Sequence, residues 1–426
     1  MSKQRKKFIR QERNKRAITM AFAYVGVLTG AGLASGQELM QYFIGFGKAG
    51  LIAVVVVGIL HALFGVMVLS MGSFFLAKEH SKVLDEITHP IIVKILDWGL
   101  IITCFVLGFV MIAGAGSNLN QQFGLQSWIG SLICVVLILV VSQFDFDKVS
   151  QIIAAFTPLI VGFIVIAAVY TFFKGDLNIE LSNNIALRQK TAVSNVVISS
   201  INYFAMCLIS GASMAFVLGG EEFNSQVAKK SGLLGGAITG IITALAAFTL
   251  YLNLDLVEGS DLPMQIVIQN IHPILGLFMS IVIYGMIFNT GISLYYALAR
   301  RVAGYNKKKF NISLFILVMV GFALSFVGFK KLVGIMYPII GYIGIVFMIV
   351  ILYWWIKEHK SVKDEGEIRR RIFKLTFARR DENQDFSKKD SMELKSLKKS
   401  SVAEVEEINE TLNPLVEDQV EEFNNQ

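Results

Sequence analysis

The chain has 426 residues, 54% of them hydrophobic and 17% charged, with a mean hydropathy of +0.60. That balance excludes an ordinary soluble globule and points to a chain whose middle is solvated by lipid. The formal net charge of +7 would suit nucleic acid, but the basic residues sit in short loops and tails beside apolar runs, where topology signals belong, so no nucleic-acid partner is expected.

Residues 1–16 form a basic N-terminus too highly charged for the apolar part of a cleaved signal. Runs near twenty apolar residues, the length an α-helix needs to cross hydrocarbon, follow at 17–46, 50–77, 95–117, 128–142, 152–173, 196–219, 233–252, 274–299, 312–326 and 332–356. The expectation is an all-α polytopic membrane protein of about ten transmembrane helices. With the N-terminus cytoplasmic, inside segments hold Lys78, Lys82, Lys148, Lys229, Lys230, Arg300, Arg301 and Lys307 to Lys309 besides the basic N-terminus. Outside loops hold only Lys48, Lys174, Arg188, Lys190, Lys330 and Lys331, a roughly threefold asymmetry that places both termini in the cytoplasm of a cell bearing this chain in its plasma or inner membrane.

Two outside connections are long, 174–195 and 253–273. In the second, Ser260 or Asp261 is suited to cap a short helix with Pro263 in its first turn, and Met264, Ile266, Val267 and Ile271 give it an apolar face, as in a lid. The tail, 357–426, is basic over 369–380 and acidic over 404–422; the basic part is expected to rest on anionic lipid and the acidic end to be disordered. Cys104, Cys134 and Cys207 fall inside apolar runs and read as small hydrophobes.

The first span carries the most information. Gly26, Gly30, Gly32 and Gly36, with Ala31, Ala34 and Ser35 among them, put the smallest side chains at mid-membrane, although each internal glycine costs a helix about 1 kcal/mol relative to alanine. Close helix packing through small residues four apart is one reason, and a helix broken to expose backbone groups to a solute is another. The sixth span favours the second, because Ser210, Gly211, Ala212 and Ser213 interrupt it too, and breaks in spans one and six of ten mark two inverted five-helix repeats, 17–173 and 196–356, joined by the loop 174–195.

The strings VGVLTGAGLASGQE at 25–38, GFVMIAGAGSNLNQQFG at 108–124 and MYPIIGYIGI at 336–345 resemble the YkvI-type amino acid permeases of the amino acid–polyamine–organocation superfamily, which share the LeuT fold. The resemblance covers about 17–356 and implies a five-plus-five inverted repeat with discontinuous helices 1 and 6, a central site between them, and alternating access. It implies that Gly30, Ala31, Gly32, Ala34 and Ser35 face the solute together with Ser210 and Gly211, with Tyr203 as a gate and the second break somewhere between Tyr203 and Ser213. A sodium site in this fold joins the first break to span eight, where Asn289, Thr290 and Ser293 stand; the adjacent paired hydroxyls of sodium-coupled relatives are absent, Asn289 taking the place of one.

Glu38 and His61 are ionisable residues within spans, and a carboxylate or imidazole in hydrocarbon is costly enough to mark a function, here proton coupling. The structural alternatives are a Glu38 carboxylate holding freed backbone N–H groups and a His61 imidazole donating to a helix carbonyl. Glu221 and Glu222 are expected to be solvated or paired with Lys229 and Lys230. The fragments GAGLASG and AGAGSN lack the strand and lysine of nucleotide loops, and His80, His89, His272 and His359 lack metal spacing, so no cofactor, metal or enzymatic activity is expected. The expected function is secondary transport of an amino acid or similar zwitterion coupled to protons or sodium; a non-transporting solute sensor signalling through the tail is the alternative.

Overall fold

The computed structural model describes residues 3–144, 156–174, 178–304, 306–381 and 385–424. Span one departs from regular helix where its sequence dictates. Helix α1 (Lys3–Leu28) stops at Thr29, whose hydroxyl and N–H both donate to the Val25 carbonyl at 2.8 Å, and at Gly30, which is extended (φ −80°, ψ −178°). A single turn, α2 (Ala31–Ser35), ends on Gly36 at φ +79°, a conformation that favours glycine, before α3 (Gln37–Tyr42) resumes. Ser35 Oγ donates to the Gly32 carbonyl at 2.8 Å and accepts from Gln37 N at 3.1 Å, bracing the second break. The expected interruption of span one is therefore present, and it is double.

A 3₁₀ turn (Ile44–Phe46) leads to α4 (Lys48–Phe75), α5 (His80–Ile87), α6 (Pro90–Phe123), α7 (Ser127–Val141) and α8 (Phe156–Phe173). After α9 (Ile179–Ala186) come α10 (Val196–Gly220), α11 (Ser225–Leu252), α12 (Leu254–Val257), α13 (Pro263–Ile271), α14 (Pro273–Ala303), α15 (Lys307–Ser325) and α16 (Phe329–Arg380). The chain closes with α17 (Lys388–Ser400) and α18 (Val405–Asn424). Among the described residues eight helices, α4, α6, α8, α10, α11, α14, α15 and α16, are long and apolar enough to cross a membrane. The broken span one and the shorter, 15-residue α7 complete the expected ten. Lys148 and the start of the fifth expected span, 152–155, lie outside the described residues.

Span six corrects the sequence expectation, because α10 is one unbroken helix from Val196 to Gly220. Its small and polar residues serve the helix and its neighbours instead. Ser210 Oγ donates to the Met206 carbonyl one turn back at 2.7 Å, Gly211 faces Val27 and Leu28 of α1, and Ser213 Oγ lies 2.9 Å from His80 Nδ1 of α5. Glycine serves packing elsewhere too: α4 and α11 meet backbone to backbone where Gly58 faces Gly240 and Gly65 faces Gly232.

The tail departs from the expected disorder. α16 continues past the apolar span to Arg380, and Ile372, Leu375, Phe377, Leu394, Ile408, Leu412 and Val416 bury themselves together with Leu76 and Phe223 of the bundle. These apolar residues recur at helical spacing within a charged sequence, which is how amphipathic helices fold onto a surface. The two ends of the chain meet: the Phe8 and Phe423 rings are 5.4 Å apart and Lys15 lies 3.9 Å from Glu422. Glu222 likewise differs from expectation. It is buried, pairs with Arg16 at 3.0 Å rather than with Lys229 or Lys230, and accepts from Asn224 N at 2.8 Å. The lid helix forms as α13, but neither Ser260 nor Asp261 caps it through its side chain; these bond instead to Gln121 and Ser117 of α6, at 2.7 and 2.6 Å.

Candidate functional site

The first break of span one opens into a cavity of about 190 Å³ bounded by α1, α2, α3, α6, α8, α10, α14 and α16. Exposure falls along it. Gly26 and Ser210 are exposed at the mouth, on the side of the break from which α1 arrives, whereas Glu38, Tyr203 and Tyr337 are only 7%, 3% and 1% exposed at the opposite end. The cavity thus opens toward the bundle face where the chain ends meet and finishes blind on a carboxyl group.

Glu38 is positioned by the double break. The single turn of α2 and the left-handed Gly36 fold α3 back so that the carboxyl lies directly on Gly32, in the space a side chain there would fill. The phenols of Tyr203 and Tyr337, which line the same end of the cavity, are in hydrogen-bonding reach of it. Leu107, Met111, Met206, Met286 and Leu294 supply apolar walls, and Thr157, Asn289 and Thr290 supply polar ones. Among the described lining residues Glu38 alone belongs to the Asp, Glu, His, Lys and Arg set.

The sequence-derived site divides. Gly30, Gly32, Glu38, Tyr203, Ser210, Asn289 and Thr290 line the cavity. Ala34 and Ser35 are buried away from it, and the Ser35 hydroxyl is engaged at the second break; Ala31 contributes its place in α2, its side chain lying outside the description. Gly211 packs on α1, and Ser293, whose Oγ donates to the Asn289 carbonyl at 2.7 Å, is not among the residues that line the cavity with Asn289 and Thr290. His61 is buried with its ring 5.1 Å from that of Phe204 and does not line the cavity. Sequence reasoning missed Tyr337, Thr157 and the methionine wall; Tyr337 stood inside a quoted motif, and its signal was a polar aromatic beside Pro338 in mid-span.

Past Glu38 the bundle is closed. The Tyr203 ring packs on Tyr42 and Phe43 at 5.4 and 5.0 Å, Tyr42 Oη donates to Asn202 Oδ1 at 3.1 Å, and Asn202 Nδ2 donates to the Pro338 carbonyl at 2.9 Å. Ser199 Oγ adds a bond to the Tyr42 carbonyl at 2.8 Å. These contacts sew α3, α10 and α16 together. Beyond them lies a second cavity of about 550 Å³, rimmed by Arg188, Lys190, Glu258, Lys330 and Lys331, with Gln37 and Gln41 in its wall.

A helical bundle with a first span broken at a central, one-sided cavity defines a multi-pass membrane protein of the LeuT fold. Over 332 residues the chain is 25% identical to the membrane protein YkvI of Bacillus subtilis (strain 168), covering 78% of this chain and 94% of that one. It is 26% identical to YyaD of the same organism over 334 residues, with the same coverage of both chains. The solved structure of MhsT in complex with L-phenylalanine superposes with a TM-score of 0.54 at 13% identity, spanning 94% of this chain and 98% of that one, a likeness of fold. No family model matches the chain. The resemblance carried by the three sequence motifs is thus met by whole-length relatives and by the fold.

Proposed function

We propose that the protein is a secondary transporter, not an enzyme, moving a small amine-bearing solute such as an amino acid across the cell membrane by alternating access, with Glu38 as the proton-coupling group. The observation that carries this reading is the cavity that opens on one face and ends blind on a buried carboxyl at a helix break. Its volume of about 190 Å³ lies below the usual range for drug-sized ligands, in keeping with an amino-acid-sized solute. A solute ammonium or a proton neutralises Glu38 at that depth, whereas a multiply charged anion meets repulsion. The aromatic seal between the two cavities is the element that would part to give access from the other side. The basic residues gathered at the face of the chain ends support a cytoplasmic placement of both termini.

The test is uptake into proteoliposomes over an amino-acid and amine panel, driven by a pH gradient or a sodium gradient. Accumulation driven by the pH gradient, with Glu38→Gln exchanging solute but no longer concentrating it, is the expected result. Accumulation that follows sodium and survives in Glu38→Gln would defeat the proton assignment. A sensor reading is favoured by the tail's grip on the end of α4 through Arg369; it predicts solute binding with no flux for any member of the panel.

A further inference from the structure

A cavity of about 690 Å³ lies outside the transport pathway, between the N-terminal part of α1 and the tail portion of α16. Four cations line it with no partner among the described residues: Arg10 and Arg13 from α1, Arg370 and Lys374 from α16. The Nε atoms of Arg13 and Arg16 are buried behind this wall without a hydrogen-bond acceptor. The remaining charges are engaged: Arg16 with Glu222, Arg369 with Glu365, Arg371 with Glu393 at 2.6 and 2.8 Å, and Asp390 with the N-terminus of α17 through Ser387, leaving Asp385 as a single acidic group at the wall.

A buried guanidinium donor without an acceptor forfeits a charge-assisted bond, and like charges this close repel. Burial, and then the fields of Arg370, Arg16 and Arg10, hold Arg13 below the ordinary guanidinium range. Asp385, one carboxylate on the wall, does not balance four unpaired cations. What fits is a ligand with several negative charges and many acceptor oxygens, and phosphoryl groups match the arginine fork in geometry as well as sign.

We infer that this cavity is a binding site for a polyphosphate anion, which cross-links α1 to the tail. Because α1 runs from the cavity directly to the break at Leu28 and Gly30, the bound anion ties the tail to the helix that forms one wall of the central cavity. The phosphoryl groups come either from a soluble molecule or from an anionic lipid headgroup, and the chemistry of recognition is shared.

The full chain in nanodiscs of neutral phosphatidylcholine is titrated with inorganic triphosphate, reading thermal stability and calorimetric binding. The expected result is a rise in Tm and saturable binding that weakens by about tenfold or more in Arg370→Gln/Lys374→Gln, as loss of charge-assisted bonds implies. Both substituted side chains are exposed, so the unliganded Tm serves as the check that the variant folds. Lys331→Gln, at the second cavity, is expected to bind as the parent does. A rise seen only when phosphatidylglycerol or cardiolipin replaces the neutral lipid, and lost in the double variant, assigns the phosphate to lipid and sustains the site. Absence of any effect from triphosphate and anionic lipid alike overturns it, as does an effect that persists in the double variant or that sodium chloride of equal ionic strength reproduces.

Discussion

The carboxyl of Glu38 occupies the space beside Gly32 that any side chain at residue 32 would need. Gly30, two residues earlier, has open space where its own side chain would project. Gly32→Ala must therefore displace the carboxyl from Tyr203 and Tyr337 or distort α2, and overpacking of this kind costs about 1–3 kcal/mol. Gly30→Ala meets no such obstacle and its extended backbone suits any residue. Thermal melts of the two variants should separate clearly, with Gly32→Ala the lower; equal stability would mean that the carboxyl does not rest on Gly32.

Asn202 is fully buried and bonds to both Tyr42 and Pro338, so Asn202→Leu leaves a phenol and a carbonyl unsatisfied and lowers stability by about 2 kcal/mol. The variant also loosens the seal between the two cavities. Cys207 lines the central cavity, which makes it a reporter once Cys104 and Cys134 are replaced by alanine. An impermeant thiol reagent applied from the Lys330 side should label Cys207 in Asn202→Leu and spare it in the parent. Equal labelling of both would show that Asn202 does not hold the seal.

The break in span one was legible because Gly30 and Gly36 sit where a helix gains nothing from them. Span six misled because its Ser210 and Gly211 look the same in composition, yet the Ser210 hydroxyl bonds within its own helix and Gly211 yields room to Val27 and Leu28. Composition cannot distinguish a glycine that frees the backbone from one that admits a neighbour; the neighbour decides. The folded tail was hidden for a related reason: its apolar residues are sparse among charges, and their burial depends on Leu76 and Phe223, more than a hundred residues away in sequence.

Burial holds Glu222 above the usual carboxylate range, against the opposing pull of Arg16 and the Asn224 N–H. A carboxyl raised on folding contributes stability that is complete at low pH and lost as pH rises through its folded value. Arg16→Met removes the opposing charge, raises Glu222 further and leaves a buried carboxylate unpaired, at a cost of about 3 kcal/mol where it is ionised. The Tm gap between variant and parent should widen as pH rises from about 4.5 to 8 and close as it falls. A gap independent of pH would mean that Arg16 acts through packing alone.

Arg369, 1% exposed, joins three segments: its Nε donates to Glu365 of its own helix at 2.6 Å, its two terminal nitrogens donate to the Ser73 and Phe74 carbonyls at the end of α4, and its guanidinium lies 5.5 Å from the Phe223 ring. Glu365 in turn accepts from Val402 N at 3.2 Å, carrying the chain of contacts to the loop before α18. Removing one member of a buried pair strands the other, so Arg369→Leu should cost about 3–5 kcal/mol, while Arg369→Leu/Glu365→Leu, which buries no lone charge, should recover part of that loss. Limited proteolysis reads the same contact in space: cleavage between 381 and 405 should accelerate in the single variant and slow again in the double. If both variants were cleaved as slowly as the parent, the tail would be held by its apolar cluster alone, and the pair would be incidental to its docking.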